Sequence, residues 1–230
     1  HGPTLVSNNI LLSETSLLMN SGGAAFAHNL FGGKIDVVHY DARLTPYMKP
    51  HSTYVVALHD NPGGDIRFVN NLFVDGGDAS QYSKTLLPVV FDGNVYTKGA
   101  VMINKDQGQK KMGEMNDRAA AQMKQYKEQD ALEKNAIVKD SFDTSAVLSR
   151  QGNSMYLDIT LDKGWLMLKR KPVTGSTLTK VVIPQLSFEN VDGSALRIDL
   201  DYLGKKRNPA NPSPGPFEIL QSGKQRVKVW

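Results

Sequence analysis

Apolar residues in the first hundred positions come in short bursts, each introduced by asparagine. The phrase reads Asn8-Asn9-Ile10-Leu11-Leu12, then His28-Asn29-Leu30-Phe31, Asn70-Asn71-Leu72-Phe73-Val74 and Gly93-Asn94-Val95-Tyr96. The marker asparagines stand at 9, 29, 71 and 94, separated by 20, 42 and 23 residues, a period of about 21 with one mark expected near residue 50. This predicts the last coils of a right-handed parallel β-helix over 1–104. Parallel strands stacked about 4.8 Å apart set each asparagine above its predecessor, while the following Ile, Leu or Phe fills the interior. The alternative is asparagine turns before unrelated strands of a sandwich. The irregular stretch from Val38 to Thr53, with Pro46 and Pro50 among polar and ionisable residues, predicts a loop projecting from the coil.

Two other patterns follow. Met112, Met115, Ala119, Met123 and Tyr126 recur at helical spacing, predicting a helical connector or insertion over 105–137. From 138 to 230 the period becomes two, with Met155, Leu157, Ile159 and Leu161 alternating against Tyr156, Asp158 and Thr160. Further strands are expected at 165–169, 178–183, 196–202, 217–220 and 227–230, which suggests a C-terminal antiparallel β-sandwich. Trp165 and Trp230 fall in these strands, as core residues or as faces for a sugar ring.

The formal net charge of +4 divides into −2 over 1–100, +2 over 101–139 and +4 over 140–230. The basic clusters Lys169-Arg170-Lys171 and Lys205-Lys206-Arg207 sit beside turns without interleaved aromatics, so nucleic acid is not the expected partner. No run approaches the roughly 18 apolar residues of a membrane helix, so no membrane span is expected. The absence of cysteine removes disulfides, thiolate nucleophiles and Cys-bound zinc. The chain opens His1-Gly2-Pro3 rather than with Met, and reads as an excised piece whose signal peptide, if any, lies upstream. All five histidines fall within the first 59 residues, in the net acidic segment, which is where acid/base chemistry is expected.

The run His28-Asn29-Leu30-Phe31-Gly32-Gly33, the stretches Arg43-Leu44-Thr45-Pro46-Tyr47 and Pro50-His51-Ser52-Thr53, and Gly64-Asp65-Ile66-Arg67-Phe68-Val69-Asn70-Asn71 together resemble the late coils of large bacterial β-helix proteins. The family is that of glycoside hydrolase family 141-like proteins of the pectin-lyase-like superfamily, common in gut Bacteroidota. Asp192-Gly193, Asp199-Leu200-Asp201-Tyr202 and Gly215-Pro216-Phe217-Glu218 resemble their C-terminal sandwich. The resemblance implies a fragment of a secreted, periplasmic or cell-surface glycoside hydrolase acting on plant or host polysaccharide, with a polysaccharide or oligosaccharide as ligand. Because a bare coil would expose an open strand edge, the N-terminal portion of the same parent is expected as a second chain.

Hydrolysis needs two carboxylates, about 5 Å apart for retention or about 6.5–9.5 Å for inversion. Asp41, in the projecting loop, and Asp65, just before a strand, are the preferred catalytic pair. Asp36 and Asp78 each follow a marker asparagine by seven residues and, counted as two coils apart, would lie about 9.6 Å from one another. Arg43, Tyr47, His51, Arg67 and His39 are the expected substrate-binding residues: Arg for a carboxylate or hydroxyl fork, Tyr for stacking, His as hydrogen-bond partner. His39, Asp41 and His51 lack regular ligand spacing, and neither metal nor cofactor is expected. The alternatives are a β-helix polysaccharide lyase using Arg43, His51 and Arg67, and a non-catalytic carbohydrate-binding or structural fragment.

Overall fold

The computed structural model describes residues 1–103, 133–219 and 221–230. The expected connector helix lies, as far as residue 132, outside the described residues. The protein is mainly β, and its N-terminal hundred residues form tiers. The first holds β1 (Thr4–Ser7), β2 (Ile10–Leu11) and β3 (Thr15–Met19); the second holds β4 (Ala24–Ala27), β5 (Leu30–Phe31) and β6 (Lys34–Val37). An antiparallel hairpin of β7 (Asp41–Met48) and β8 (Val55–Asn61) follows. The third tier brings β9 (Ile66–Val69) and β10 (Leu72–Phe73), the fourth β11 (Val89–Asp92) and β12 (Val95–Thr97), and β13 (Ile137–Lys139) lies beyond. All stacking is parallel, in the orders β1-β4-β9-β11 and β2-β5-β10-β12-β13. A third face pairs β3 with β6 and continues through the single bridges Lys34–Asp78 and Asp78–Val101.

The marker asparagines stack as expected, with one correction. Leu30 pairs directly with Leu72, so 29 and 71 belong to adjacent tiers and no mark is missing near residue 50. The 42-residue interval is one tier carrying the β7–β8 hairpin as an excursion. Asp36 and Asp78 are accordingly one tier apart, not two, and two residues out of phase, since Asp78 bridges Lys34.

Each marker follows a corner residue with positive φ: Asn8 (59°), His28 (57°), Asn70 (56°) and Gly93 (74°). Asn and Gly tolerate this left-handed conformation best. The next residue's amide then joins a ladder. The backbone N–H and Nδ2 of Asn9 donate to Asn29 Oδ1 at 2.9 and 3.2 Å; Asn29 does the same to Asn71, and Asn71 to Asn94. The Nδ2 groups of Asn29, Asn71 and Asn94 also reach the carbonyls of Val6, Phe26 and Phe68, each at 2.9 Å. Because Ile137 pairs with Val95, Ala136 stands where a fifth ladder asparagine would be. The Glu133 carboxylate closes the ladder instead, accepting from Asn94 Nδ2 and Tyr96 Oη at 2.8 Å.

Register fixes the core. Phe26, Phe68 and Phe91 stack at 4.9 and 4.8 Å, and Phe31, Phe73 and Tyr96 at 5.1 and 4.9 Å, matching the strand spacing of about 4.7–4.9 Å. A second cluster joins Leu30, Leu72 and Val95 to Leu157, Trp165 and Phe217, and a third joins Ala25 and Ala27 to Val173, Val181 and Phe188. The C-terminal residues thus cover the outer faces of the tier strands, opposite the aromatic stacks that fill the interior.

That C-terminal region differs from the expected run of strands. β14 (Val147–Gln151), β15 (Ser154–Leu161) and β16 (Gly223–Lys228) make one antiparallel sheet. Lys163–Met167 is instead a 3-10 turn burying Trp165, and α1 (Gly175–Leu178) is a single helical turn capped by Thr174. Residues 196–202 make only isolated bridges. Trp230 is 82% exposed. Prolines 172, 184, 209, 212, 214 and 216 supply no N–H for a ladder. Three buried arginines satisfy carbonyls that strands would otherwise pair. Arg67 bonds the carbonyls of Leu178 and Lys180, Arg170 those of Gly93 and Trp165, and Arg207 those of Ser213 and Gly215.

This irregular chain runs along the left-handed corners. Arg207 Nη2 donates to Asn8 Oδ1 (2.7 Å), His28 Nδ1 lies 2.9 Å from the Ser213 carbonyl, and Asn70 Nδ2 donates to the Lys171 carbonyl (3.2 Å). Burial, aided by Arg207 and Arg170, holds His28 well below the usual imidazole range.

Two predictions follow the ladder. Asn71→Ala strands the donors of Asn29 and the Phe26 carbonyl, and is expected to cost about 3 kcal/mol in urea unfolding. Burial raises Glu133 from its ordinary 4.5 to about 7 against the pull of Asn94 and Tyr96. The folded state therefore prefers the protonated acid, and that contribution is complete below pH 4.5 and lost as pH rises through 7. The stability advantage of Glu133→Gln over the native chain should grow by about 3 kcal/mol across this window, read from urea midpoints; a constant difference refutes the assignment. His28 acts oppositely, its contribution being lost as pH falls below its ordinary 6.5, so only the difference between the two proteins isolates Glu133.

Candidate functional site

The β7–β8 excursion leaves the second tier after β6 and rejoins the stack at β9. Alternation gives it two unlike faces. Leu44, Pro46 and Met48 of β7 and Val56 and Leu58 of β8 are exposed, whereas Thr45, Tyr47, Ala57 and His59 are half-buried. Thr45 pairs with His59 and Tyr47 with Ala57.

At the root, Asp41 accepts from Arg43 through its backbone N–H and guanidinium, and from Asn20 Nδ2 at 2.8 Å. The Arg43 bonds, then Asn20, hold Asp41 well below the usual carboxylate range. Asn20 also accepts from Asn61 Nδ2 (3.3 Å), tying the two strands together. Alongside, the buried Asp60 carboxylate accepts from Tyr40 Oη at 2.8 Å and sits 2.9 Å from His59 Nδ1. The His1 ring lies 2.7 Å from Thr45 Oγ1 and meets Tyr47 and His59 edge-on at 6.3 and 5.7 Å. His39 points away, with Nε2 3.0 Å from the Gln81 carbonyl.

The tip turns through His51, at φ +54°, and leans on residues 186–193. His51 Nε2 is 3.1 Å from Glu189 Oε2. Gly193 makes this approach possible, since a Cβ there would crowd the His51 ring at 3.3 Å. Between tip and body lies a cavity of about 250 Å³ lined by Pro3, Pro50, His51, Leu186, Glu189 and Asn190. It is smaller than the roughly 300–1,000 Å³ of drug-sized sites and suits a single small ring. Asn190 is fixed there by bonds from Nδ2 to Ser194 Oγ and the Ala195 carbonyl at 2.9 and 3.1 Å.

Asp65 and Arg67 lie elsewhere. Asp65, itself at φ +56°, is 3% exposed; its carboxylate binds the Arg67 guanidinium and accepts from the Val182 N–H. Burial pushes its carboxyl up, against the pull of Arg67 and Val182. Arg67 packs over Phe188, 5.6 Å from the ring centroid. The structure therefore groups Asp41 with Arg43, brings Tyr47 to the same hairpin face and His51 to its tip, and sets Asp65 with Arg67 in a buried clamp against 178–182. Asp41 and Asp65 share no partner. Sequence reasoning missed Tyr40, His59, Asp60 and Glu189; the adjacent pair His59-Asp60 was its available signal. Among the described residues, no group of three or more His, Asp or Glu is placed to hold a metal ion, and no helix is long and apolar enough to cross a membrane.

No protein-family model matches the chain, and no curated protein matches it. Among solved structures, that of XylC in complex with xylose resembles it over 100% of this chain, with a TM-score of 0.81 and 28% sequence identity. The chain spans 36% of the length of XylC.

The two ion pairs should differ sharply in weight. Arg67→Ala leaves Asp65 buried and unpaired and is expected to cost about 3–5 kcal/mol. His51→Ala breaks a half-exposed pair and should cost at most about 1 kcal/mol. Urea denaturation of both variants checks this, and equal losses would show that the tip holds residues 178–193 to the tiers as firmly as the clamp does.

Proposed function

We propose that this chain is one portion of a longer carbohydrate-active protein, that its tiers are coils of a right-handed parallel β-helix, and that the β7–β8 hairpin offers a binding site for a pentose-class sugar. The observation that carries the reading is the likeness to the xylose complex of XylC along the whole chain. The hairpin and the segment under its tip supply suitable chemistry: Glu189, Asp41 and the Asn190 side-chain oxygen to accept from sugar hydroxyls, Arg43 to donate, His51 as a further hydrogen-bond partner, and Tyr47 as an apolar face. Among the described residues no strand pairs the outer edge of β1 or β2, which supports a further tier from the N-terminal portion of the same parent, in the same chain or as a second one. A polysaccharide ligand is met outside the cytoplasm, so we infer a secreted, periplasmic or cell-surface setting.

For hydrolysis, Asp41 is the reachable carboxylate of the expected pair. Burial gives Asp65 the raised pKa a general acid needs, yet its oxygens are engaged by Arg67 and Val182. We therefore assign Asp65 a supporting role and infer that a hydrolytic pair with Asp41 is completed by a carboxylate of the parent's other tiers. The lyase reading loses Arg67, which is buried away from Arg43 and His51. The binding reading needs no second carboxylate.

Calorimetric titration of the folded chain with xylose and xylo-oligosaccharides tests the proposal. Binding is expected, weakened about fivefold in Tyr47→Ala, which loses a stacking face worth about 1 kcal/mol. A folded chain that binds no neutral sugar overturns the reading. Asp41→Asn in the complete parent separates enzyme from binding module, since only the enzyme loses turnover.

A further inference from the structure

We propose that His59 is a hydroxyl-accepting contact for an oligosaccharide, held in one tautomer by Asp60 and Tyr40; this rests on the carbohydrate reading and extends it from a single ring to a longer ligand. His59 Nδ1 lies 2.9 Å from Asp60 Oδ1 and 2.7 Å from the Asp60 carbonyl. The carbonyl oxygen can only accept, so Nδ1 carries the proton and Nε2 is the ring nitrogen left to offer a lone pair. Asp60 itself is held: its side chain is 2% exposed, and Tyr40 Oη donates to its second oxygen at 2.8 Å. Asp60 and Tyr40 are thus positioning residues acting through His59.

Nothing among the described residues bonds Nε2, and the His59 side chain is 30% exposed. The groups along the hairpin beside it are Thr45 on the paired strand, the edge of the His1 ring, Tyr47 two pairs further toward the tip and, toward the root, Asp41, which pairs with Asn61 and binds Arg43. A sugar hydroxyl donating to Nε2 would meet an acceptor fixed in advance, which avoids the ordering cost of a mobile side chain. Thr45, opposite His59, precedes Pro50 of the tip cavity by five residues, about 16 Å along an extended strand. A ligand that touches both stations is an oligosaccharide.

The test compares xylose with xylohexaose on the folded chain by calorimetry, together with nitrogen-15 NMR of the histidine rings. The native protein should show the Nδ1–H tautomer at His59 and a shift of its Nε2 signal on adding xylohexaose. His59→Gln should weaken xylohexaose about tenfold and leave xylose within twofold. Tyr40→Phe, a smaller change to the packing, should lose part of the tautomer preference and part of the xylohexaose affinity. An Nε2–H tautomer, or xylohexaose affinity unchanged in a folded His59→Gln protein, overturns the assignment while leaving the carbohydrate reading intact. Failure of the native chain to bind either sugar overturns both.

Discussion

The left-handed corner followed by asparagine is the constraint on which the other features rest. A chain that turns through positive φ at the same point of each tier leaves the next backbone N–H facing along the stack, where another strand residue has no acceptor to offer. Asparagine supplies one oxygen for the tier before it and two N–H groups for its surroundings, so every buried polar group at the corner finds a partner. The ladder sets the register, and the register sets Phe above Phe above Phe or Tyr. Sliding one strand by a residue would unseat both the amides and the rings. Glu133 ends the ladder by offering carboxylate oxygens to Asn94, at the cost of burying an acid.

The same corners explain how the proline-rich C-terminal chain holds on. With few N–H groups of its own to pair, it is gripped from the side by Asn8, His28 and Asn70, and its carbonyls are taken up by guanidinium groups. That accounts for the divergent fates of the two aspartates offered by the sequence. Asp65 stands where the chain enters β9, under residues 178–182, and is absorbed into the grip. Asp41 stands where the hairpin leaves the tiers and remains half-exposed. The ladder fixes the tiers, and the segment that departs from them is the one whose polar side chains stay reachable.

The stacked strands were legible because their cause is local: an asparagine, an apolar pair and a fixed interval. The hairpin was legible only as irregularity. Its alternation between Leu44, Pro46 and Met48 outside and Thr45 and Tyr47 inside is present in the chain, but Pro46 and Pro50 disguise it as a loop, and counting a 42-residue gap as two periods hid the excursion. The C-terminal half misled for the opposite reason. Residues 165–169 and 196–202 have strand-like composition, yet Arg170 takes up the carbonyls of Trp165 and Leu168 and Arg207 that of Leu200, and these guanidinium groups are anchored across the fold on the Gly93 carbonyl and Asn8, contacts that no local pattern records. Of the residues proposed for the site, Arg43 and His51 were chosen from residue type and loop placement, whereas the Tyr40–Asp60–His59 contact depends on strand pairing and on the chain folding back beside the hairpin.

A tier here is defined by where its corner falls, and the number of residues between corners is left free. The passage from Asn29 to Asn71 is about twice as long as that from Asn9 to Asn29, yet both end with the same amide contacts at the same distances. Doubling a connection adds only about 0.6 kcal/mol of closure entropy. Such a stack behaves as a ledger of corners between which lineages can write freely: a new hairpin, a longer tip or a different set of side chains can be inserted after β6 with little disturbance to the layers above and below, so specificity can drift while the foundation stays the same.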